Sequence, residues 1–502
     1  MKITTYIFGL VLGCVPLVLS GQPASKKSCM PCEQLKNLRL PDVTIIKAEA
    51  LEKDTTADGS SVITVPYCKV TGRISKEINF ELLLPLQWNE RFLMSGGGGF
   101  VGSVQNFLLN YVNNGFATVG TDTGHKGGSS AEWAFNNMER QLNFGRLAIH
   151  RTAVVSKAII HTYYCADPAY AYFFGCSRGG GQAMVEAQFY PEDFIGIVAG
   201  APAFNWPAIG AKFIQSCQNN YPNPNDLGNP VISNENLKLL QDYVLRQCDN
   251  LDGISDRIIN DPRDCKLDFS KFPLCPDNKT GTNCFTKEQV AAIKAVYSPM
   301  VIDDKQIYPG FPVGLEGESG SWDAWITGTS PMLQKSPSLH YMFGTNVFKY
   351  LIYNDPSWDY SKYDFKNFFE ETRYASAYLD ATQTDYSEFK NAKGKMIMYH
   401  GWNDAALSAY ATIQHYEEAQ QKDKDLQSYI RLFLLPGVLH CGGGTGPDNI
   451  DFVKLIQDWV ENGKAPERIV LSKMEKGKTV MTRPVFPYPK VASYIGKGDI
   501  NL

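Results

Sequence analysis

Apolar residues follow two rhythms along this chain. Short, nearly continuous runs occur at Ile78-Asn79-Phe80-Glu81-Leu82-Leu83-Leu84-Pro85, at Arg91-Phe92-Leu93-Met94, at Phe116-Ala117-Thr118-Val119-Gly120 and from Tyr170 to Phe174. Each is too short for an ordinary helix and reads as a strand. Leu147, Ile149, Ala153, Val154, Ile159 and Ile160 recur at helical spacing instead, which predicts a helix from Gly145 to about Tyr164. Ala183, Met184 and Ala187 predict a short helix running to Tyr190, and Val198-Ala199-Gly200-Ala201-Pro202 follows it. Strand character returns at Lys395-Met396-Ile397-Met398-Tyr399 and from Tyr429 to Leu435. Residues from about 26 to 70 add a leading segment with β character at Ser60-Ser61-Val62-Ile63-Thr64-Val65. Strands alternating with helices imply an α/β fold, a mostly parallel sheet covered on both faces.

Between about 204 and 381 the pattern breaks: prolines are frequent, clean strand runs are few, and five cysteines gather there. This stretch reads as a large inserted lid domain over the edge of a core formed by 22–203 and 382–502. A chain of 502 residues is too long for one ordinary domain but accommodates a core with such an insertion. With 20% charged residues, a net charge of −4 and no basic tract, the composition argues against nucleic acid as a partner. The 12% aromatic content suits a large core or an aromatic-lined cleft.

The first residues read as a signal peptide, 1–21. Met1-Lys2 precede the nearly all-apolar run from Ile3 to Leu19, and Ser20-Gly21 supply a cleavage site. Export follows, to the periplasm or the medium; Val11-Leu12-Gly13-Cys14 offers the alternative of a lipid anchor on Cys14. No later run approaches a transmembrane span. Eleven cysteines remain past the signal, and in an exported chain they predict disulfides, with at least one thiol left over.

The chemistry centres on Gly175-Cys176-Ser177-Arg178-Gly179. A G-x-S-x-G pentapeptide between a strand and a helix is a nucleophile elbow, whose glycines allow the sharp turn that lifts a serine oxygen off the sheet. A serine needs a base, and the base an orienting acid, in the order Ser, acid, His. Of His340, His400, His415 and His440 downstream, His440 stands in a loop after a strand-like run, Leu439-His440-Cys441-Gly442-Gly443-Gly444. His400 and His340 read as ordinary hydrogen-bonded residues. Asp404, at the end of Tyr399-His400-Gly401-Trp402-Asn403-Asp404, is the acid; it also reads as an N-cap before Ala405-Ala406-Leu407. Asp448 is the weaker alternative because it follows His440. Cys176 precedes Ser177 and Cys441 follows His440, so a bond between them would tie nucleophile to base.

This arrangement of Cys-Ser, a later Asp and His-Cys resembles the tannase and feruloyl esterase family, over nearly the whole mature chain. Gly96-Gly97-Gly98-Gly99-Phe100 and Thr121-Asp122-Thr123-Gly124-His125 also match. The resemblance implies a secreted α/β-hydrolase with a large lid, cleaving esters of phenolic acids. It implies an oxyanion hole built from the Arg178 N–H and that of Gly97 or Gly98. Aromatic residues of the lid, among Trp322, Trp325 and Phe343, would line the acyl pocket.

Cys248-Asp249-Asn250-Leu251-Asp252-Gly253-Ile254-Ser255-Asp256-Arg257-Ile258 places three carboxylates within eight residues. Such a loop suits either calcium or a solvated acidic turn, and the spacing is not that of an EF-hand. The resemblance implies a structural calcium held by Asp249, Asp252 and Asp256 side chains and the Ile254 and Ile258 carbonyls. It also implies disulfides Cys248–Cys265, Cys275–Cys284 and Cys32–Cys68. Cys29, Cys165 and Cys217 are then left with their pairing open, Cys165–Cys217 being one option.

The expected activity is ester hydrolysis by Ser177, His440 and Asp404 on aromatic, hydroxycinnamoyl-type acyl esters of plant-wall or polyphenol origin, without an organic cofactor. Gallate or terephthalate monoesters are the alternatives. A different class of function, an inactive calcium-stabilised protein that binds phenolics, would need neither the complete triad nor the glycine run.

Overall fold

The structure, a computed structural model, describes residues 26–55, 62–333, 337–494 and 496. The expected signal peptide, Cys14, and Ser60-Ser61 of the leading strand lie outside the described residues.

Nine strands form the main sheet: β1 (Val43–Leu51), β2 (Tyr67–Ile74), β3 (Ile78–Pro85), β4 (Arg91–Ser95), β5 (Ala117–Thr121), β6 (Tyr170–Cys176), β7 (Gly196–Gly200), β8 (Lys395–Gly401) and β9 (Ile430–Leu435). Their order is β1-β2-β3-β5-β4-β6-β7-β8-β9. The pairings from β1 to β5 are antiparallel, and every pairing from β5 onward is parallel. Every residue of β4, β5 and β7 is buried, as expected of parallel strands covered on both faces, and this is why they read as solid apolar runs.

Helices α1 (Ala148–Tyr164) and α2 (Arg178–Phe189) flank β6 in sequence. Between β7 and β8 the chain adds no strand to the main sheet. It forms α3 (Trp206–Asn220), α4 (Asn234–Cys248), α5 (Lys287–Tyr297), α6 (Leu339–Asn346), α7 (Phe368–Leu379) and a small hairpin of Met300–Ile302 with Lys305–Tyr308. Helices α8 (Ala409–Lys422) and α9 (Phe452–Asn462) follow β8 and β9.

The two faces of the sheet feed two cores. Phe92, Met94, Phe173, Ile197, Ala199, Met396 and Met398 join α1 in the larger one. The alternate residues Leu93, Tyr172, Val198, Ile397, Tyr399 and Phe433 meet Phe452, Ile456 and Trp459 of α9 in the other. The period-two alternation of a strand accounts for the division.

Five disulfides join the described cysteines. Cys176–Cys441, Cys248–Cys265, Cys275–Cys284 and Cys32–Cys68 are present. The fifth corrects the sequence reading: Cys165 pairs with Cys29, and Cys217 is a free, buried thiol. The leading segment lies along the end of α1, where Cys29 N–H donates to the Tyr163 carbonyl at 2.9 Å, and this brings Cys29 to Cys165. Cys217 is enclosed within α3.

Candidate active site

Ser177 sits between the end of β6 and the start of α2 with φ +62° and ψ −121°, the strained turn of the elbow. The turn is possible because its flanks are glycines: a Cβ on Gly175 would lie 2.3 Å from the Gly179 carbonyl carbon. Ser177 N–H donates to the Gly200 carbonyl at 3.0 Å, and its own carbonyl accepts from Ala203 and Gly181, at 2.9 and 3.0 Å. The backbone of the turn is therefore anchored to β7 and α2.

The loops after β8 and β9 bring Asp404 and His440 to the same edge. His440 Nε2 lies 2.8 Å from Ser177 Oγ, and its Nδ1 lies 2.7 Å from Asp404 Oδ2. Asp404 Oδ1 accepts from the N–H groups of Ala406 and Leu407 at 2.7 and 2.9 Å, so the N-cap-like contact and the contact to His440 use different oxygens. Burial alone would push the Asp404 carboxyl up; His440 and His400 outweigh it and hold it well below the usual carboxylate range. Asp448 instead accepts from Gly443 N–H at 2.7 Å and does not reach His440. The Cys176–Cys441 disulfide fastens the elbow to the histidine loop beside these contacts.

The other histidines lie away from Ser177. His340 Nε2 donates to the Ala405 carbonyl at 2.9 Å, and His415 pairs with the Tyr386 hydroxyl at 2.8 Å. His400 approaches Asp404 Oδ2 at 3.2 Å, a contact the sequence did not disclose.

The glycine run leaves β4 and passes over the elbow. A Cβ on Gly96 would meet the Gly179 Cα at 2.6 Å, so only glycine permits this approach. The donors expected of Gly97 and Gly98 are engaged within the protein. Gly97 N–H donates to the buried Gln182 Oε1 at 3.0 Å, and Gly98 N–H donates to the half-buried Gln105 Oε1 at 2.7 Å. The acceptor that holds the Gly97 N–H is thus the more deeply buried of the two. His125 of the T-D-T-G-H motif braces the run from behind, its Nε2 bonded to the Phe100 carbonyl at 2.9 Å.

A pocket opens at Ser177 and His440, walled by Trp206, Ile209, Phe213, Trp325, Phe343 and Leu407. Trp325 lies edge-on to His440 with 5.1 Å between ring centroids. Trp322, the third aromatic candidate, is buried against Tyr297 and is not part of this wall. Arg178 also lines the pocket. Its guanidinium bonds the Phe144 carbonyl and lies over the Phe144 ring, with Nε and Nη1 buried without a partner.

In the acidic loop, Asp252 Oδ1 and Asp256 Oδ1 accept from the Ile254 and Ile258 N–H groups, both at 3.0 Å. Asp256 Oδ2 pairs with Arg483. Asp249 Oδ1 is buried without a partner. Burial and then the neighbouring carboxylates push the Asp249 and Asp252 carboxyls up. Among the described residues, no three acidic, histidine or cysteine side chains converge closely enough to form a metal cluster on their own.

The sequence profile of the family described as tannase and feruloyl esterase matches residues 60–502. A mono(2-hydroxyethyl) terephthalate hydrolase from Piscinibacter sakaiensis is 30% identical, covering 94% of this chain and 90% of that protein. A probable feruloyl esterase B-2 from Aspergillus fumigatus is 29% identical, with 96% of each chain covered. The crystal structure of feruloyl esterase B from Aspergillus oryzae superposes with a TM-score of 0.83 at 26% identity, over 94% of this chain and 97% of that one.

Proposed function

The chain belongs to the tannase and feruloyl esterase family and is a carboxylic ester hydrolase, and we propose that it cleaves esters of aromatic, phenolic acids through Ser177, His440 and Asp404. The observation that carries this reading is the unbroken Oγ–Nε2 and Nδ1–Oδ2 sequence of hydrogen bonds at the mouth of an aromatic pocket.

His440 Nε2 takes the Ser177 proton as Oγ attacks the ester carbonyl, and Asp404 holds the ring with its Nδ1–H toward the carboxylate. The Arg178 backbone N–H, at the start of α2, is one oxyanion donor. The second comes from the glycine run, Gly97 or Gly98, and the half-buried acceptor of the Gly98 N–H, Gln105, against the buried Gln182 on Gly97, favours Gly98. His440 then returns the proton to the departing alcohol, and water releases the acid by the same steps in reverse. A serine-directed phosphonate ester tests the activated nucleophile: labelling at Ser177 supports the mechanism. An unlabelled, folded protein would instead favour an inactive phenolic-binding role.

The mostly apolar pocket supports a hydroxycinnamoyl acyl group over a galloyl one, with a terephthaloyl monoester as the alternative. Its walls are mostly apolar side chains, beside which the Trp206 Nε1 and the Arg178 Nε and Nη1 are buried without partners. Each galloyl hydroxyl buried there without a partner would cost about 1–3 kcal/mol. Plant-wall or polyphenol esters are the substrates this implies.

A structural calcium is proposed in the acidic loop, held by Asp249, Asp252 and Asp256 with the Ile254 and Ile258 carbonyls. The unpartnered, buried Asp249 oxygen and the mutual repulsion of these carboxylates support it. The ion would neutralise that repulsion and share Asp256 with Arg483, with no part in ester cleavage. Chelation should lower the melting temperature while kcat of the still-folded enzyme is retained; a calcium-free purified protein indifferent to added calcium would contradict this. Export is likewise proposed: five disulfides suit an oxidising compartment. Among the described residues no helix is long and apolar enough to cross a membrane.

A further inference from the structure

Asp404 is approached by two imidazoles. Its Oδ2 faces His440 Nδ1 at 2.7 Å and His400 Nε2 at 3.2 Å. His400 stands near the end of β8 with its side chain 1% exposed, so water does not serve it. Its Nε2 also lies 3.0 Å from the Leu407 carbonyl. Both oxygens facing Nε2 can only accept, which places a proton on that nitrogen. Nδ1 lies 2.8 Å from the Thr412 hydroxyl at the start of α8, and that hydroxyl can donate to it. The contacts hold the ring in one orientation, with Nε2–H toward Asp404 and Leu407 and Nδ1 toward Thr412.

We infer that His400, held by Thr412, is a positioning residue for Asp404: its Nε2–H fixes the carboxylate oxygen that faces His440. The inference rests on Asp404 being the orienting acid. Leu407 O, the other acceptor of the same N–H, belongs to the turn whose N–H groups hold Asp404 Oδ1. One imidazole therefore braces both the carboxylate and the turn that carries it. The remaining titratable groups packed on this turn bond its backbone, and Tyr308 and His340 also feel the Asp404 charge. His340 bonds the Ala405 carbonyl, the Tyr308 hydroxyl accepts from Ser408 N–H, and Lys212 lies beyond His340, bonded to the Ala295 and Ser298 carbonyls.

Two effects should follow when the His400 donor is lost. The carboxylate gains freedom to turn away from His440, which slows the chemical step. Its undiminished negative potential also falls on His440 and favours the protonated ring, so the acid limb of kcat/KM moves to higher pH. A purely structural role would lower the melting temperature without moving that limb.

The test measures kcat, KM and the pH profile of kcat/KM on an activated phenyl ester, with melting curves, for the whole enzyme and its His400→Phe, His400→Gln, Thr412→Val and Asp404→Asn variants. His400→Phe should lose roughly 10- to 100-fold in kcat, with KM little changed and the acid limb displaced upward. His400→Gln restores an N–H and should recover most of the rate. Thr412→Val, which removes one hydroxyl, should shift both quantities in the same direction by less, and it decides the matter if His400→Phe does not fold. A folded His400→Phe or Thr412→Val enzyme with an unmoved acid limb and unchanged kcat overturns the inference. If Asp404→Asn itself keeps full activity, the underlying assignment of the acid fails instead.

Discussion

Asp404 is the side chain on which the geometry of the site turns. Wholly buried, it accepts from two backbone N–H groups and two imidazoles, and it stays ionised because these contacts outweigh the cost of burial. Its part is to select the His440 tautomer that leaves Nε2 free for the serine proton. Asp404→Asn keeps the size of the side chain and loses that selection, so kcat should fall by about 10⁴ with KM nearly unchanged. A variant within tenfold of the parent rate would contradict the assignment. Ser177, Asp404 and His440 were legible in the sequence because each sits in a local signature: an elbow, a strand end and a glycine-rich loop. The glutamines that occupy the Gly97 and Gly98 amides were not legible. Gln182 is 85 residues from Gly97, and no local spacing announces which side chain will meet a backbone N–H across the fold. His400 was hidden for a different reason: its contact with Asp404 depends on the turn folding back on β8.

At the scale of elements, the elbow and the histidine loop are separate pieces of chain joined by Cys176–Cys441, 265 residues apart in sequence. Replacing both cysteines with alanine removes a closure that the chain-entropy account values at up to about 5 kcal/mol, and it loosens the serine–histidine geometry. The expected result is a lower melting temperature together with a lower kcat. An unchanged rate in a destabilised variant would make the bond purely structural. The buried strands were readable because burial on both faces demands continuous apolar runs. The order of β4 and β5 in the sheet was not, since neighbouring runs look alike. The stretch from about 204 to 381 showed few clean strand runs, and its helices α4 and α5 went unread although their capping boxes at Ser233–Asn236 and Thr286–Gln289 were present in the sequence. The Cys165–Cys217 option failed because the leading segment, which has little periodicity of its own, lies along α1 and brings Cys29 there.

For the whole molecule, buried titratable groups set the window of stability. Burial pushes His125 and His415 down from 6.5 to about 4, so the fold keeps them neutral. Below 6.5 the unfolded chain takes up protons that the fold refuses, and stability is lost as pH falls through about 4. Asp380 has the opposite slope: burial raises its carboxyl from 3.8 to about 7, and stability is lost as pH rises through that range. Denaturant midpoints across pH should therefore show His415→Gln flattening the acid side and Asp380→Asn flattening the alkaline side. Parallel curves for parent and variants would refute this. The mostly parallel sheet and its position in the chain were visible in the strand–helix alternation, whereas these buried charges are products of packing that no one-dimensional pattern encodes.

The most direct measurement of the central claim is the initial rate of hydrolysis of methyl ferulate and methyl gallate side by side, with Ser177→Ala as the control. The account predicts at least about tenfold faster turnover of the ferulate ester, because the apolar walls leave galloyl hydroxyls unpaired, and loss of both activities in the variant. A preference for gallate would contradict the reading of the pocket, and activity that survives in Ser177→Ala would contradict the mechanism.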